Sequence, residues 1–287
     1  MAMITKTKKY ISLYETAKGL VYSLMVLRGK TANFSSSKVM DFPSDMSIVD
    51  KIKDLPKESA TGAILTVPSD SYQLFQIKKP LVDKKELDNA ILWTIQDKVF
   101  LKGDDYIVTH FPCEKLKPVE DIFVVAFKKT QLLETIDALK RRFGCVISLK
   151  IPELSAIALL NYEDAHHDKF FVYLDNTIGK DMIYGIKNYA LVKAAVSPVM
   201  LEKKMTDSGI LGVIDAIQTL LHQYATRTNF EIHVSPSLNN AKEWVHILDK
   251  TFQNKVFVAP RDGDMHKLTN DQLIAVGGGL SYVKERL

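Results

Sequence analysis

Short apolar runs and apolar stripes at helical spacing alternate along this chain, most fully between residues 121 and 196. Ile122–Phe127 is an almost continuous apolar run, as expected of a strand buried on both faces. Thr130 can then cap a helix whose Leu132, Leu133, Ile136, Leu139 and Phe143 share one face. Gly144 stands where a left-handed C-cap costs least. Val146–Ile151 reads as a returning strand, and Pro152 opens a second helix where a missing N–H costs nothing. Phe170–Asp175 then enters a turn, Asp175–Gly179, followed by strands at Met182–Ile186 and Ala190–Ala194.

The first half opens in a similar way. Tyr10–Tyr14 and Leu20–Leu27 predict two strands joined by the turn Glu15–Gly19, with a third strand near Lys38–Phe42. Ser47 caps a short helix, Ile48–Leu55, before a strand at Ala63–Val67; the alternation of Tyr72–Ile77 predicts a half-exposed strand. Asp83 and Glu86 suit a capping pair for a helix that carries Leu87, Ala90, Ile91, Thr94, Ile95 and Val99 on one face to about Phe100. Tyr106–Phe111 is a further strand. Later, Ser208 precedes an amphipathic helix from Ile210 to Tyr224. A strand at Phe230–Val234, a helix at Lys242–Thr251, a strand at Val256–Val258 and a last helix begun by Thr269 with Gln272 complete the chain. This order predicts an α/β fold of two subdomains. Residues 8–155 form the first, with a small α/β insertion at about 65–120, and residues 156–287 form the second. No internal sequence repeat and no Pro/Gly/Ser-rich linker is present.

Composition narrows the function class. The 287 residues suffice for a real core, and 46% hydrophobic with 25% charged residues is ordinary for a globular protein. A net charge of +4 is too small and dispersed to argue for nucleic acid. Lysine pairs at Lys78–Lys79 and Lys84–Lys85 read as solvated surface or as contacts to an acidic partner or anionic membrane. Cys113 and Cys145 have no metal or redox spacing, which points to a reduced, cytoplasmic compartment. No apolar run approaches the ~20 residues of a membrane span. Any membrane connection is expected through a partner, or through a segment outside residues 1–287.

The strongest candidate for phosphate or metal contact is the turn Asp175–Gly179. Asp175 could position Mg²⁺ there and the turn amides could face a phosphate, although Thr177 adds a side chain where a glycine would suit better. The first turn offers Glu15, Lys18 and Gly19, with a carboxylate but no Asp-x-Gly. Gly277–Gly279 falls inside an apolar helix, so close packing competes with a nucleotide-cradling loop. His166, His167 and Asp168 with Glu163 suggest either a polar turn or a metal site, and adjacent histidines seldom converge on one ion. No nucleophile elbow, phosphate-binding P-loop or Cys/His pair is present, so no catalytic residue and no metal ligand is assigned. Trp244 fits a core; Trp93 lies off the apolar stripe and suits an interface.

Three passages resemble the PilM family of type IV pilus assembly proteins and its relatives, MshI and the cytoplasmic part of the type II secretion protein GspL. They are Lys78-Lys-Pro80 with Asp83–Trp93 and Asp97–Leu101; Val124–Lys129 through to Glu153–Leu159; and Ile274–Leu280. The resemblance covers most of residues 10–282 by motif order. It implies an actin-like (ribonuclease H-like) fold, with phosphate and adenosine turns at Ser12–Gly19, Asp175–Gly179 and Ser235–Asn239. Those three places hold few of the glycines the family carries there. The expectation is therefore a non-enzymatic scaffold at the cytoplasmic face of a bacterial inner membrane, with Glu15, Lys18, Gly19, Asp175, Thr177 and Gly179 as the remnant of a nucleotide pocket. The alternatives are an active ATPase binding ATP with Mg²⁺ and, more distantly, a nucleic-acid binder. The implied partners are a single-span platform protein or a secretion ATPase. Trp93, Phe100, Tyr106, Lys78 and Lys79 are the expected contact residues, beside a strand edge at Tyr72–Ile77 that could accept an extended tail.

Overall fold

The computed structural model describes residues 7–16, 19–28, 31–43, 45–56, 60–99, 106–112, 121–162, 170–178, 180–187, 190–201, 206–225, 229–253, 255–259 and 267–284. The chain divides into two units, Met1–Ser155 with Ala275–Leu287, and Ala156–Ile274.

In the first unit, β1 (Thr7–Thr16), β2 (Gly19–Arg28) and β3 (Thr31–Asp41) form an antiparallel meander. Next come α1 (Ile48–Asp54), β4 (Ala63–Thr66), β5 (Tyr72–Lys78), α2 (Leu87–Ile95), β6 (Tyr106–Pro112) and β7 (Asp121–Lys128). The helix α3 (Lys129–Phe143), the strand β8 (Val146–Lys150) and the helix α4 (Pro152–Tyr162) follow, and α4 leads into the second unit. Parallel pairing of β4 with β1 and of β8 with β4 gives the sheet order β3-β2-β1-β4-β8.

The second unit repeats this plan. An antiparallel meander of β9 (Phe170–Asp175), β10 (Met182–Lys187) and β11 (Ala190–Val196) comes first. After α5 (Asp207–Tyr224), β12 (Phe230–Val234) pairs in parallel with β9. After α6 (Ala241–Phe252), β13 (Val256–Val258) pairs in parallel with β12, giving the order β11-β10-β9-β12-β13. One topology thus occurs twice without any sequence repeat. The strands containing Leu20–Leu27 and Met182–Ile186 lie in separate sheets, as two subdomains require.

The insertion is a three-stranded antiparallel sheet, β5-β7-β6, running from Tyr72 to Lys128. It extends past the expected boundary near residue 120 because β7 is its central strand. Ile122–Phe127 is buried throughout, since both faces of the sheet are covered. On one side Ile122, Val124 and Ala126 meet Leu87, Ile91 and Ile95 of α2; on the other, Val125 and Phe127 join the main core with Leu132 and Leu139 of α3.

Local signals set most element ends. Ser47 caps α1, accepting from the Asp50 N–H; Gly144 ends α3 at φ 82°. Thr269 and Gln272 exchange side-chain bonds of 3.3 and 2.9 Å at the start of α7 (Asn270–Lys284). Three helices differ from expectation. α3 follows β7 directly, with Lys128 rather than Thr130 at its cap, and Thr206 rather than Ser208 caps α5. α2 starts at Leu87 with no side-chain cap from Glu86, and stops at Ile95, well before Phe100. Gln96–Lys98 is exposed and forms a turn, after which Val99 still packs half-buried against the same cluster, its N–H donating to the Ile95 carbonyl at 3.1 Å. The C-terminal stretch from Ala275, expected in the second subdomain, groups with the first unit. Gly278 and Gly279 permit this: a Cβ on Gly278 would stand 2.4 Å from Thr66 Oγ1 and 3.2 Å from Ser12 Oγ, and one on Gly279 would meet Met25 Cγ at 2.5 Å. Close packing, not a ligand loop, accounts for these two glycines.

Candidate functional site

Parallel pairing of β9 and β12 places Leu174 opposite Val234, so Asp175 and Ser235 emerge side by side at the strands' C-terminal ends. The Ser235 N–H donates to the Leu174 carbonyl at 2.8 Å, which fixes this junction. Thr177 Oγ1 donates to Asp175 Oδ1 at 2.5 Å and lies 3.1 Å from Ser237 Oγ. Ser237 Oγ in turn lies 2.6 Å from Ser235 Oγ and donates to Asn176 Oδ1 at 3.0 Å. Thus the loop after β12 is tied by its own hydroxyls to the turn after β9. Asp175 is fully buried, and that burial pushes its carboxyl above the usual carboxylate range, opposed by the Thr177 hydroxyl. Its Oδ2 has no hydrogen-bond partner among the described residues.

The first unit's turn is similarly occupied. Glu15 Oε1 receives the nearly buried Lys51 ammonium at 3.1 Å. Gly19 faces β3 so closely that a Cβ there would stand 2.0 Å from the Met40 carbonyl oxygen. A glycine is required at that point by the neighbouring strand. Magnesium–nucleotide binding needs an accessible carboxylate and amides turned toward phosphate. Asp175 is instead buried beneath hydroxyls, Glu15 is paired with a lysine, and Gly19 lies against the backbone of β3. Among the described residues no cluster of His, Cys, Asp and Glu could hold a metal ion. Lys18, Gly179 and Phe100 lie outside the described residues, as do Cys113, Glu163, His166, His167 and Asp168.

The first unit also contains a small, partly open cleft. Its apolar wall comes from Ile48, Leu65, Val67 and Leu132, with Glu15 and Lys128 as charged neighbours. Ser71 lines it too, and the next residue, Tyr72, begins β5. The Tyr72 hydroxyl is anchored on the buried Glu153 carboxylate. In the order β5-β7-β6, β5 is an edge strand, and the cleft lies next to its N-terminal end. These cleft residues are scattered along the chain and gave no local sequence signal.

The expected contact residues divide. Lys78 ends β5 and is exposed, as is Lys79. Tyr106 begins β6, the opposite edge of the same sheet, and packs half-buried against the α2 cluster. Trp93 is 73% exposed on α2. Trp244, by contrast, is a core residue at 1% exposure, its Nε1–H donating to the Leu201 carbonyl at 2.7 Å. No described helix is long and apolar enough to cross a membrane.

No family model and no curated protein sequence matches this chain. Solved structures do match its fold. One is the PilM–PilN type IV pilus biogenesis complex, with a TM-score of 0.63 at 14% identity over 95% of this chain and 97% of that one. Another is a Bacteroides thetaiotaomicron protein of unknown function with an actin-like ATPase fold, at TM-score 0.54 and 13% identity over 94% and 96% of the two chains. A third is the cytoplasmic domain of EpsL, an inner-membrane component of the Vibrio cholerae type II secretion system. Its TM-score is 0.51 at 10% identity over 96% and 95%. The chain therefore has the actin-like α/β fold.

Proposed function

We propose that this protein is a non-enzymatic scaffold in the inner-membrane assembly platform of a bacterial type IV pilus or type II secretion system. It would sit at the cytoplasmic face, held to the membrane by a single-span partner whose extended tail it binds, and would link that partner to the cytoplasmic assembly ATPase. The fold shared with PilM and with cytoplasmic EpsL supports the setting. The observation that carries the scaffold reading is the hydroxyl bridge from Thr177, Ser235 and Ser237 over Asp175. A hydrolase needs preorganised groups aimed at a phosphate, whereas here the corresponding loops are aimed at each other.

The tail site is the β5 edge with its adjoining cleft. Strand addition supplies main-chain hydrogen bonds and the apolar cleft receives a side chain, giving affinity and selectivity respectively. Lys78 and Lys79 favour an acidic tail and speed its arrival in low salt. Trp93 is available as a further anchor.

An ATP-binding protein of the PilM type is the second reading. One feature favours it: Asp175 Oδ2 has no partner among the described residues and could face a cation if the hydroxyl bridge opened. Calorimetric titration with ATP and Mg²⁺ separates the two. The scaffold reading predicts no saturable heat and no phosphate release; micromolar binding with turnover would establish the enzyme.

A further inference from the structure

The loop joining β5 to α2 reads Lys78-Lys79-Pro80-Leu81-Val82-Asp83-Lys84-Lys85, an apolar tip bracketed by two lysine pairs. Leu81 is 103% exposed, as open as in an unfolded chain, and Val82 is 42% exposed. All four lysines are exposed as well. Four lysines against one aspartate leave this octapeptide at +3. A turn follows the tip, in which the Glu86 N–H donates to the Asp83 carbonyl at 2.9 Å.

A leucine fully in water at a loop tip gains nothing for the fold of the chain that carries it. We infer that the Pro80–Val82 tip inserts into the headgroup region of an anionic bilayer, with the two lysine pairs held at the lipid phosphates. The chemistry favours a bilayer over a protein groove. The tip presents a fully exposed apolar side chain with lysines on both sides of it in sequence. Lysine stems can lie along apolar surface while the ammonium groups stay at the interface. Near an anionic leaflet each lysine strengthens binding by about fivefold, and a buried leucine adds about tenfold or more.

The inference does not depend on tail binding, so its test contains no partner. The full chain is sedimented with vesicles of phosphatidylglycerol and phosphatidylethanolamine, and separately with phosphatidylcholine alone. Binding to the anionic vesicles only, weakened by salt, is expected. Leu81→Ser should reduce it about tenfold and Lys84→Glu with Lys85→Glu by more than that, with melting temperatures unchanged. Three results would overturn the inference: no sedimentation with anionic vesicles, binding that neither variant weakens, or binding that depends on the lysines but not on Leu81. The last would mean that the lysines adsorb to the charged surface without insertion of the tip.

Discussion

Gly278 of α7 lies directly over Thr66 of β4, so close that a Cβ would meet the threonine hydroxyl oxygen at 2.4 Å. Alanine normally improves a helix interior over glycine by about 1 kcal/mol. Here Gly278→Ala should instead destabilise the protein by about 1–3 kcal/mol through overpacking. Thr66→Ala in the same background should recover part of that loss. Urea denaturation of the two single variants and the double variant measures the coupling. A Gly278→Ala protein more stable than wild type would show that α7 does not approach β4 this closely.

Asp175 should make stability depend on pH in an unusual direction. Its folded pKa is raised by burial, so the folded state holds a proton more tightly than the unfolded state does. Stability is then fullest below the unfolded value, near ~4, and falls as pH rises through the folded pKa. Asp175→Asn removes this titration and retains an oxygen for the Thr177 hydroxyl. In thermal melts, Asp175→Asn should exceed wild type by more at pH 7 than at pH 4. An equal difference at both values would mean that burial does not raise the carboxyl's pKa.

Glu15 and Lys51 form a pair in which the lysine is the more enclosed member, at 7% exposure against 17%. Glu15→Gln should cost about 1–3 kcal/mol by leaving that ammonium without its carboxylate. Adding Lys51→Met should restore most of it. No effect of Glu15→Gln on denaturation would leave Glu15 available for another role at the cleft.

The two tryptophans should behave oppositely. Trp244→Ala removes a filled core position and the bond to the Leu201 carbonyl, at a cost of about 3–5 kcal/mol. Trp93→Ala should change stability by about 0.5 kcal/mol or less, and should weaken capture of the platform partner in a pull-down. Undiminished capture by the folded variant would remove Trp93 from the interface.

The strand hairpins and many helix ends were readable from sequence because they depend on neighbours a few residues away. Ser47, Gly144 and the Thr269–Gln272 pair each act within one turn of helix. The apolar spacing placed Val99 correctly against the α2 cluster, but the regular helix ends at Ile95 and a turn carries the chain on to it. The site was less legible. Asp175 and Thr177 were identifiable, and the resemblance placed Ser235–Asn239 among the same turns, but the hydroxyl contacts between them come from the β9–β12 register. Ser12, a buried serine between Ile11 and Leu13, marks the surface on which Gly278 lies.

The central claim, that β5 and the cleft beside it receive an extended tail, is tested most directly by amide hydrogen exchange. The protein would be compared with and without the cytoplasmic tail of its single-span partner. Strand addition predicts new protection concentrated in Tyr72–Lys78 and at Ser71, with the protection of α5 and α6 unchanged. Tail binding that leaves the Tyr72–Lys78 amides exchanging as before would contradict it.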